Sequence, residues 1–325
     1  MRLYRRFEGL GPEARGLAVA LGNFDGVHRG HQAVIGAAES AARRLNTRPA
    51  VLTFEPHPRS VLQPDRAPGR LQTPADKLRV LDDAGIAAVF MLRFDRLLAA
   101  MPAEDFVERV LWRGLRVAHL SIGHDFVFGK GRGGNAKMLE AAAQAHGFSL
   151  SVVEPRADGD TIFSSTAIRA AITGGDMVRA ARLLGRPWSV SGRVRGGDRR
   201  GRTIGFPTAN VAIGRYVEPA TGVYAIRVNV APGRGPGGEP LPGGHFGGVA
   251  NFGRRPTFDK RDLLLEAHLF DFAGDLYGRR VEIAFIERIR PERRFDGIEA
   301  LKAQIAADAE QARSLLARAA DRRYP

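Results

Sequence analysis

The sequence predicts two unlike halves: a doubly wound α/β domain on a parallel sheet, then an antiparallel β-barrel that ends in a helix. Three observations predict it. Strand-like and helix-like segments alternate from residue 17 to residue 153, which is the pattern of a sheet with crossover helices. Gly185-Arg186-Pro187 then breaks the chain. Beyond it, strands follow one another without helices between them until a final helical stretch. The domains are therefore expected at residues 1–185 and 186–325.

The elements follow in order. Leu17 to Leu21 reads as a short buried strand ending at Gly22, and His31 to Leu45 as an alanine-rich helix. Pro49 to Phe54 is a second strand. Thr73 to Ala84 is a helix, with Thr73 as cap and Pro74 at its first position. Ile86 to Leu92 is a strand, Pro102 to Leu111 a helix, Val117 to Ile122 a strand, Asn135 to His146 a helix and Ser149 to Val153 a strand. Two short helices, from Thr166 and from Met177, precede the break. In the second half Trp188 to Arg195, Gly222 to Val230, Leu263 to Phe270 and Arg280 to Ile289 read as strands. Ala231 to Gly244 is mostly glycine and proline and is expected to be a loop. The last helix should start with Asp296 and Glu299 as a cap pair and bury Ile298, Leu301, Ile305 and Ala309.

Composition narrows the function. The 325 residues are 44% hydrophobic, enough for two cores. The absence of cysteine excludes disulfides, thiolate metal sites and a cysteine nucleophile, and points to a reducing compartment. Met1 to Leu10 holds no secretory-type apolar run, and Leu17 to Leu21 is far too short for a bilayer. A soluble cytoplasmic chain is expected. The net charge of +14 suggests anionic partners: nucleic acid, a membrane surface or small polyphosphates. Aromatics do not interleave with the basic runs, so a stacking platform for single strands is not indicated.

The sharpest local signal is Gly22-Asn23-Phe24-Asp25-Gly26-Val27-His28-Arg29-Gly30-His31. It follows a strand and opens a helix, where free N–H groups and the positive end of the dipole favour phosphate. Gly26 and Gly30 allow a close backbone approach. His28 and His31, three apart, share one side of the first turn. They suit stabilisation of charge on a phosphoryl oxygen and a leaving pyrophosphate. The alternative is two surface histidines beside a turn.

The segment resembles the HxGH motif of the nucleotidyltransferase superfamily, which is Rossmann-like. Its ten-residue form is similar to the FMN adenylyltransferase module of bacterial bifunctional riboflavin kinase/FAD synthetases. Thr53-Phe54-Glu55-Pro56-His57-Pro58, Gly123-His124-Asp125-Phe126-Val127-Phe128-Gly129 and Phe163-Ser164-Ser165-Thr166-Ala167-Ile168-Arg169 carry the resemblance further. It implies ATP phosphate contacts from Ser164, Ser165, Thr166 and Arg169. It implies a flavin-side role for Asp125, Phe126 and Phe128, and a place for His57 near the reacting groups. Read without the resemblance, the phenylalanines suit a core, the hydroxyls suit helix caps and Arg169 suits a surface.

In the second half, Gly205-Phe206-Pro207-Thr208-Ala209-Asn210 resembles the PTAN motif of riboflavin kinases. Thr208 and Asn210, two apart on an extended chain, offer hard neutral oxygens suited to Mg²⁺ on ATP. Glu266, in an otherwise apolar strand, resembles the kinase family's general base on the riboflavin 5′-hydroxyl; its plainer reading is an outward strand residue. Gly222-Val223-Tyr224-Ala225, Gly248-Val249-Ala250-Asn251-Phe252-Gly253, Gly274-Asp275-Leu276-Tyr277-Gly278 and Arg290, Glu292 and Phe295 also match, and the resemblance places Arg290 near the flavin. Phe252 and Ala167 depart from the usual residues, and 231–244 resembles an insertion.

The resemblance implies a chain that makes FMN from riboflavin and then FAD, using ATP and Mg²⁺. No nucleic acid or membrane partner is expected. Transient delivery to apo-flavoproteins and a monomer or weak oligomer are. A class I aminoacyl-tRNA synthetase would need a KMSKS-type loop and a larger RNA-binding region. An RNA-associated basic protein would need a reading element. A single active module is the remaining alternative.

Overall fold

The computed structural model describes residues 1–196, 206–234, 240–254 and 263–320, and divides into two compact units. Met1–Pro68 and Pro74–Ser165 form the first; Gly69–Thr73 and Thr166–Pro325 form the second.

The first unit is a six-stranded parallel sheet. Its strands are β1 (Arg2–Tyr4), β2 (Ala18–Leu21), β3 (Pro49–Glu55), β4 (Ala88–Arg93), β5 (His119–Gly123) and β6 (Ser149–Val153), in the order β1-β4-β3-β2-β5-β6. Central β2 is buried at all four residues, as expected of a strand covered on both faces. Alternation splits the apolar residues between two cores. Val19, Leu21, Leu52, Phe90 and Leu120 lie in one. Ala20, Val51, Val89 and Met91 pack with Val34, Ile35 and Ala38 of α1 (Arg29–Arg44) in the other. Helices α2 (Pro74–Asp83) and α3 (Ala136–His146) complete the layers. The helix expected over 102–111 starts at Ala103 but continues as a wider π-helix, Phe106–Gly114, closed by the bond from Leu115 N to Val110 O (2.9 Å).

The second unit centres on a closed antiparallel barrel. Its strands are β7 (Trp188–Arg195), β8 (Ala209–Ala212), β9 (Gly222–Val230), β10 (Gly244–Arg254), β11 (Leu263–Leu269) and β12 (Arg280–Arg290), in the order β8-β11-β10-β9-β12-β7 with β7 pairing β8. Phe285 fills the interior, its ring 5.0 Å from Trp188 and 5.1 Å from Tyr224. Helices α4 (Ser165–Gly174) and α5 (Met177–Leu184) precede the barrel, and α5 packs on β7 and β12. The segment Gly69–Thr73 is also woven into this unit. Arg70 pairs with Tyr216, and Trp188 Nε1 donates to Leu71 O (2.9 Å).

Three expectations need correction. Residues 231–244 are not all loop: Gly233–Arg234 pairs with Pro240–Leu241 in a two-stranded ribbon. The final helix, α6 (Ile298–Ala320), buries a stripe further along than expected, Ala309, Ala312, Leu315 and Ala319, against Val223, Ala225, Val249 and Ile286. Ile298 is 55% exposed, because the covering strands lie against the later turns. Glu299 falls in the first turn, where Lys302 Nζ binds it at 3.0 Å. Strand β10 carried no strand signal, because it is rich in glycine. Gly248 there meets a neighbour so closely that a Cβ would lie 2.5 Å from His268 O.

Candidate active sites

In the first unit the sheet order reverses at β2: β3 and β4 lie on one side, β5 and β6 on the other. Ligands of open α/β sheets bind at the carboxyl ends of strands beside such a point. The segments Gly22 to His28, Glu55 to His57 and His124 to Phe128 all leave the carboxyl ends of β2, β3 and β5 there.

The β2–α1 turn is tightly specified. Phe24, Gly26 and Val27 have φ of 48°, 88° and 42°. The two apolar residues hold that conformation by burial, each 1% exposed. His28 caps α1, its Nδ1 accepting from His31 N at 3.3 Å. That bond leaves Nε2 as the donor of a neutral ring. The rings of His28 and His31 stack with centroids 3.6 Å apart. Burial, then His28 and Lys77, holds the His31 pKa well below the usual 6.5, so this ring is neutral as well. His31 Nδ1 is buried with no hydrogen-bond partner among the described residues, as expected of a group that serves a polar ligand.

The 163–165 segment closes on this turn. Ser165 Oγ donates to Asp25 O (2.9 Å), and the Arg29 guanidinium lies 5.5 Å from the Phe163 ring. A Cβ on Gly30 would sit 3.1 Å from both Phe163 O and His28 Cε1, so glycine there serves the protein's own packing. Thr166 and Arg169 belong to the second unit, where Arg169 Nε donates to Gly69 O (2.7 Å). His57 caps the short helix Pro58–Leu62, accepting from Arg59 N at 3.2 Å. Asp125 is largely exposed. Phe128, 8% exposed, sits in the core against Phe106 (5.5 Å), and half-buried Phe126 stacks on it at 5.9 Å.

Sequence reasoning missed Lys77. It is 5% exposed, and its Nζ donates to Asn23 O (2.7 Å) and Thr53 Oγ1 (3.4 Å). Thr53 Oγ1 in turn donates to Asn23 O (3.0 Å). The available signal was a lysine four residues before Leu81 on the buried stripe of a helix.

On the barrel, register builds the second site. Asn210 of β8 pairs with Glu266 of β11, and Glu266 pairs with Asn251 of β10. Directly opposed residues share a face, so three polar side chains form a row across three strands. Arg195 of β7 extends the row beside Asn210. Leu265 and Ala267, the neighbours of Glu266, are fully buried on the opposite face. Thr208 immediately precedes β8, and its segment is held by His268 Nδ1 donating to Pro207 O (2.9 Å). Asn210 Oδ1 is buried with no hydrogen-bond partner among the described residues. A hard oxygen left so, beside a carboxylate, suits a divalent cation. Asn251, a second missed residue, donates to Glu292 Oε1 (3.3 Å). Gly205 lies outside the described residues.

Comparison with known proteins joins the two constellations. Residues 11–167 match the FAD synthetase family model and residues 184–316 the riboflavin kinase model. The bifunctional riboflavin kinase/FMN adenylyltransferase of Escherichia coli K12 is 43% identical over 95% of this chain and 96% of its own length. The chain belongs to the bifunctional riboflavin kinase/FMN adenylyltransferase family. A relative with that description from Haemophilus influenzae is 42% identical over 97% of this chain and 99% of its own. A crystal structure described as a macrolide-efflux protein from Streptococcus pneumoniae superposes with a TM-score of 0.83 at 31% identity, over 96% of this chain and 98% of that one. Among the described residues here, no helix is long and apolar enough to cross a membrane.

Within the family frame Arg290 has an evident structural employment. Its guanidinium forks onto buried Asp308 of α6, with Nη2 at 2.7 Å and Nε at 3.0 Å, and lies 5.6 Å from the Phe295 ring. It thereby fixes the 291–295 segment, which carries Glu292 to Asn251.

Proposed function

We propose that this chain makes FAD from riboflavin in two ATP-dependent steps, each at its own site, within functional domains 1–185 and 186–325. The observation that carries the reading is the presence of two separate constellations, suited to different phosphorus atoms, in a chain matched by both family models. Incubation with riboflavin, ATP and Mg²⁺, resolving FMN and FAD over time, tests it; a folded chain that forms neither product overturns it.

At the barrel, Glu266 takes the proton of the riboflavin 5′-hydroxyl as that oxygen attacks the γ-phosphorus of ATP. The bond to the β–γ bridging oxygen breaks, and ADP leaves. Thr208 and Asn210 would hold Mg²⁺, which would neutralise charge on the ATP phosphates. Asn251 keeps the Glu266 row aligned, and Arg290 orders the segment that borders the flavin.

At the sheet, an FMN phosphate oxygen attacks the α-phosphorus of a second ATP, and pyrophosphate leaves. Gly22, Asn23, Phe24, Asp25 and Gly26 present the turn to the phosphates, with Ser164, Ser165, Thr166 and Arg169 as further ligands. His28 and His31, both neutral, donate to phosphate oxygens and become more basic as negative charge gathers there. His57, Asp125, Phe126 and Phe128 border the flavin, Phe126 with its ring and Phe128 as the support beneath it. The protein works in the cytoplasm and hands its product to apo-flavoproteins by transient contact.

A further inference from the structure

We propose that Lys77 is a positioning residue for adenylyl transfer, its buried ammonium clamping the Asn23 carbonyl and so setting the direction in which the 22–28 turn presents its donors. The inference rests on the function proposed above for that turn.

An ammonium buried to 5% exposure is costly unless strong acceptors meet it. An apolar side chain would fill the same place in α2 at no such cost, since Leu81 occupies the equivalent position one turn on. What the lysine adds is a short bond, 2.7 Å, to one carbonyl of an otherwise irregular turn. Thr53 Oγ1 reaches the same carbonyl from β3 at 3.0 Å, so two donors from two elements converge on Asn23 O.

Peptide geometry gives that convergence a consequence. In a trans peptide unit the C=O and N–H point in opposite directions. With the Asn23 carbonyl drawn toward α2 and β3, the N–H of the same unit, carried by Phe24, turns the other way. Phe24 then enters the left-handed region at φ 48°, which continues the turn through Gly26 and Val27 to the cap at His28. Releasing the carbonyl frees the first peptide of the turn to flip and misdirects the donors that follow. The same ammonium also helps to keep His31 neutral, together with burial and His28.

The test uses the full chain and follows both products in parallel. Lys77→Met removes the charge at nearly constant volume. It should lower kcat for FAD formation from FMN about 100-fold, the scale of losing a preorganised donor. The KM for FMN and the rate of FMN formation from riboflavin should stay within about twofold. Lys77→Arg should recover about tenfold of the loss, since it restores a charged donor, and Thr53→Val alone should cost about tenfold, since the shorter bond from Lys77 remains. A lysine with a packing role only would lower the melting temperature without a selective fall in kcat. A folded Lys77→Met chain that forms FAD within twofold of wild type overturns the inference. If that variant does not fold, wild-type kcat in Thr53→Val overturns it instead. A wild-type chain that forms FMN but no FAD would remove the reading beneath it, a result distinct from an active wild type beside an active variant.

Discussion

The two proposed sites would meet one need, holding a polyphosphate against a flavin derivative, by opposite means. The sheet site is local in sequence. The stretch 22–31, from the end of β2 into the first turn of α1, supplies a helix cap, a stacked histidine pair and a left-handed turn. The barrel site is assembled from three strands, with Asn210, Glu266 and Asn251 brought side by side only by antiparallel register. Local sites draw their precision from backbone conformation, and registered sites from closure of the barrel. A change at one should therefore leave the other untouched, and a change in packing should harm the second more than the first.

The largest effect expected from breaking this separation is at Glu266. Glu266→Gln should reduce FMN formation by about 10³-fold, within the range for a lost general base, while adenylylation of supplied FMN continues. A variant that makes FMN at the wild-type rate removes Glu266 as the base. Next is His28→Ala, which deletes both the cap and a donor. FAD formation should fall about 10²- to 10³-fold with FMN formation intact. Loss of both products from a folded chain would show that the sites are not independent.

Asn210→Ala sharpens the contrast. It removes the buried oxygen without touching Glu266, and should raise the Mg²⁺ concentration needed for half-maximal kinase rate by about tenfold or more. An unchanged Mg²⁺ dependence would remove Asn210 from the metal's surroundings.

The last effect bears on stability rather than catalysis and concerns the sheet alone. His119 of β5 is 1% exposed and hydrogen-bonded to Ser149 Oγ (2.8 Å) and Ser121 Oγ (3.2 Å). Burial, with Arg44 nearby, lowers its pKa from 6.5 to about 4. The unfolded chain therefore binds this proton first as pH falls. Stability should be unaffected by His119 above pH 6.5 and decline as pH drops toward 4, by about 3 kcal/mol at the lower limit. Denaturant unfolding of the sheet unit at pH 7 and pH 4.5 measures it, and His119→Gln should flatten the decline.

Much of the sheet and its turn was legible because the signals are short-range. A buried strand, glycine at the turn and His-x-Gly-His at a helix start lie within fourteen residues, 18–31. Lys77 escaped because its partner, Asn23, lies 54 residues away. The barrel was legible as a class but not in full. Trp188–Arg195 and Gly222–Val230 alternate visibly, whereas the glycine-rich β10 does not, and without it the row through Asn251 cannot be drawn. The stripe on α6 was displaced for a similar reason: periodicity marks an apolar face, but the strands that cover it decide which turns are buried.

By itself the sequence determined the two architectures and the histidine-bearing turn, because each depends on periodicity or on neighbours along the chain; Glu266 stood out only through the family resemblance. Tertiary structure alone decided that Arg290 forks onto Asp308, that Phe128 lies in a core beneath Phe126, and that Asn210 and Asn251 flank Glu266. Those facts depend on which distant segments meet, and strand register and chain closure, rather than local propensity, select those partners.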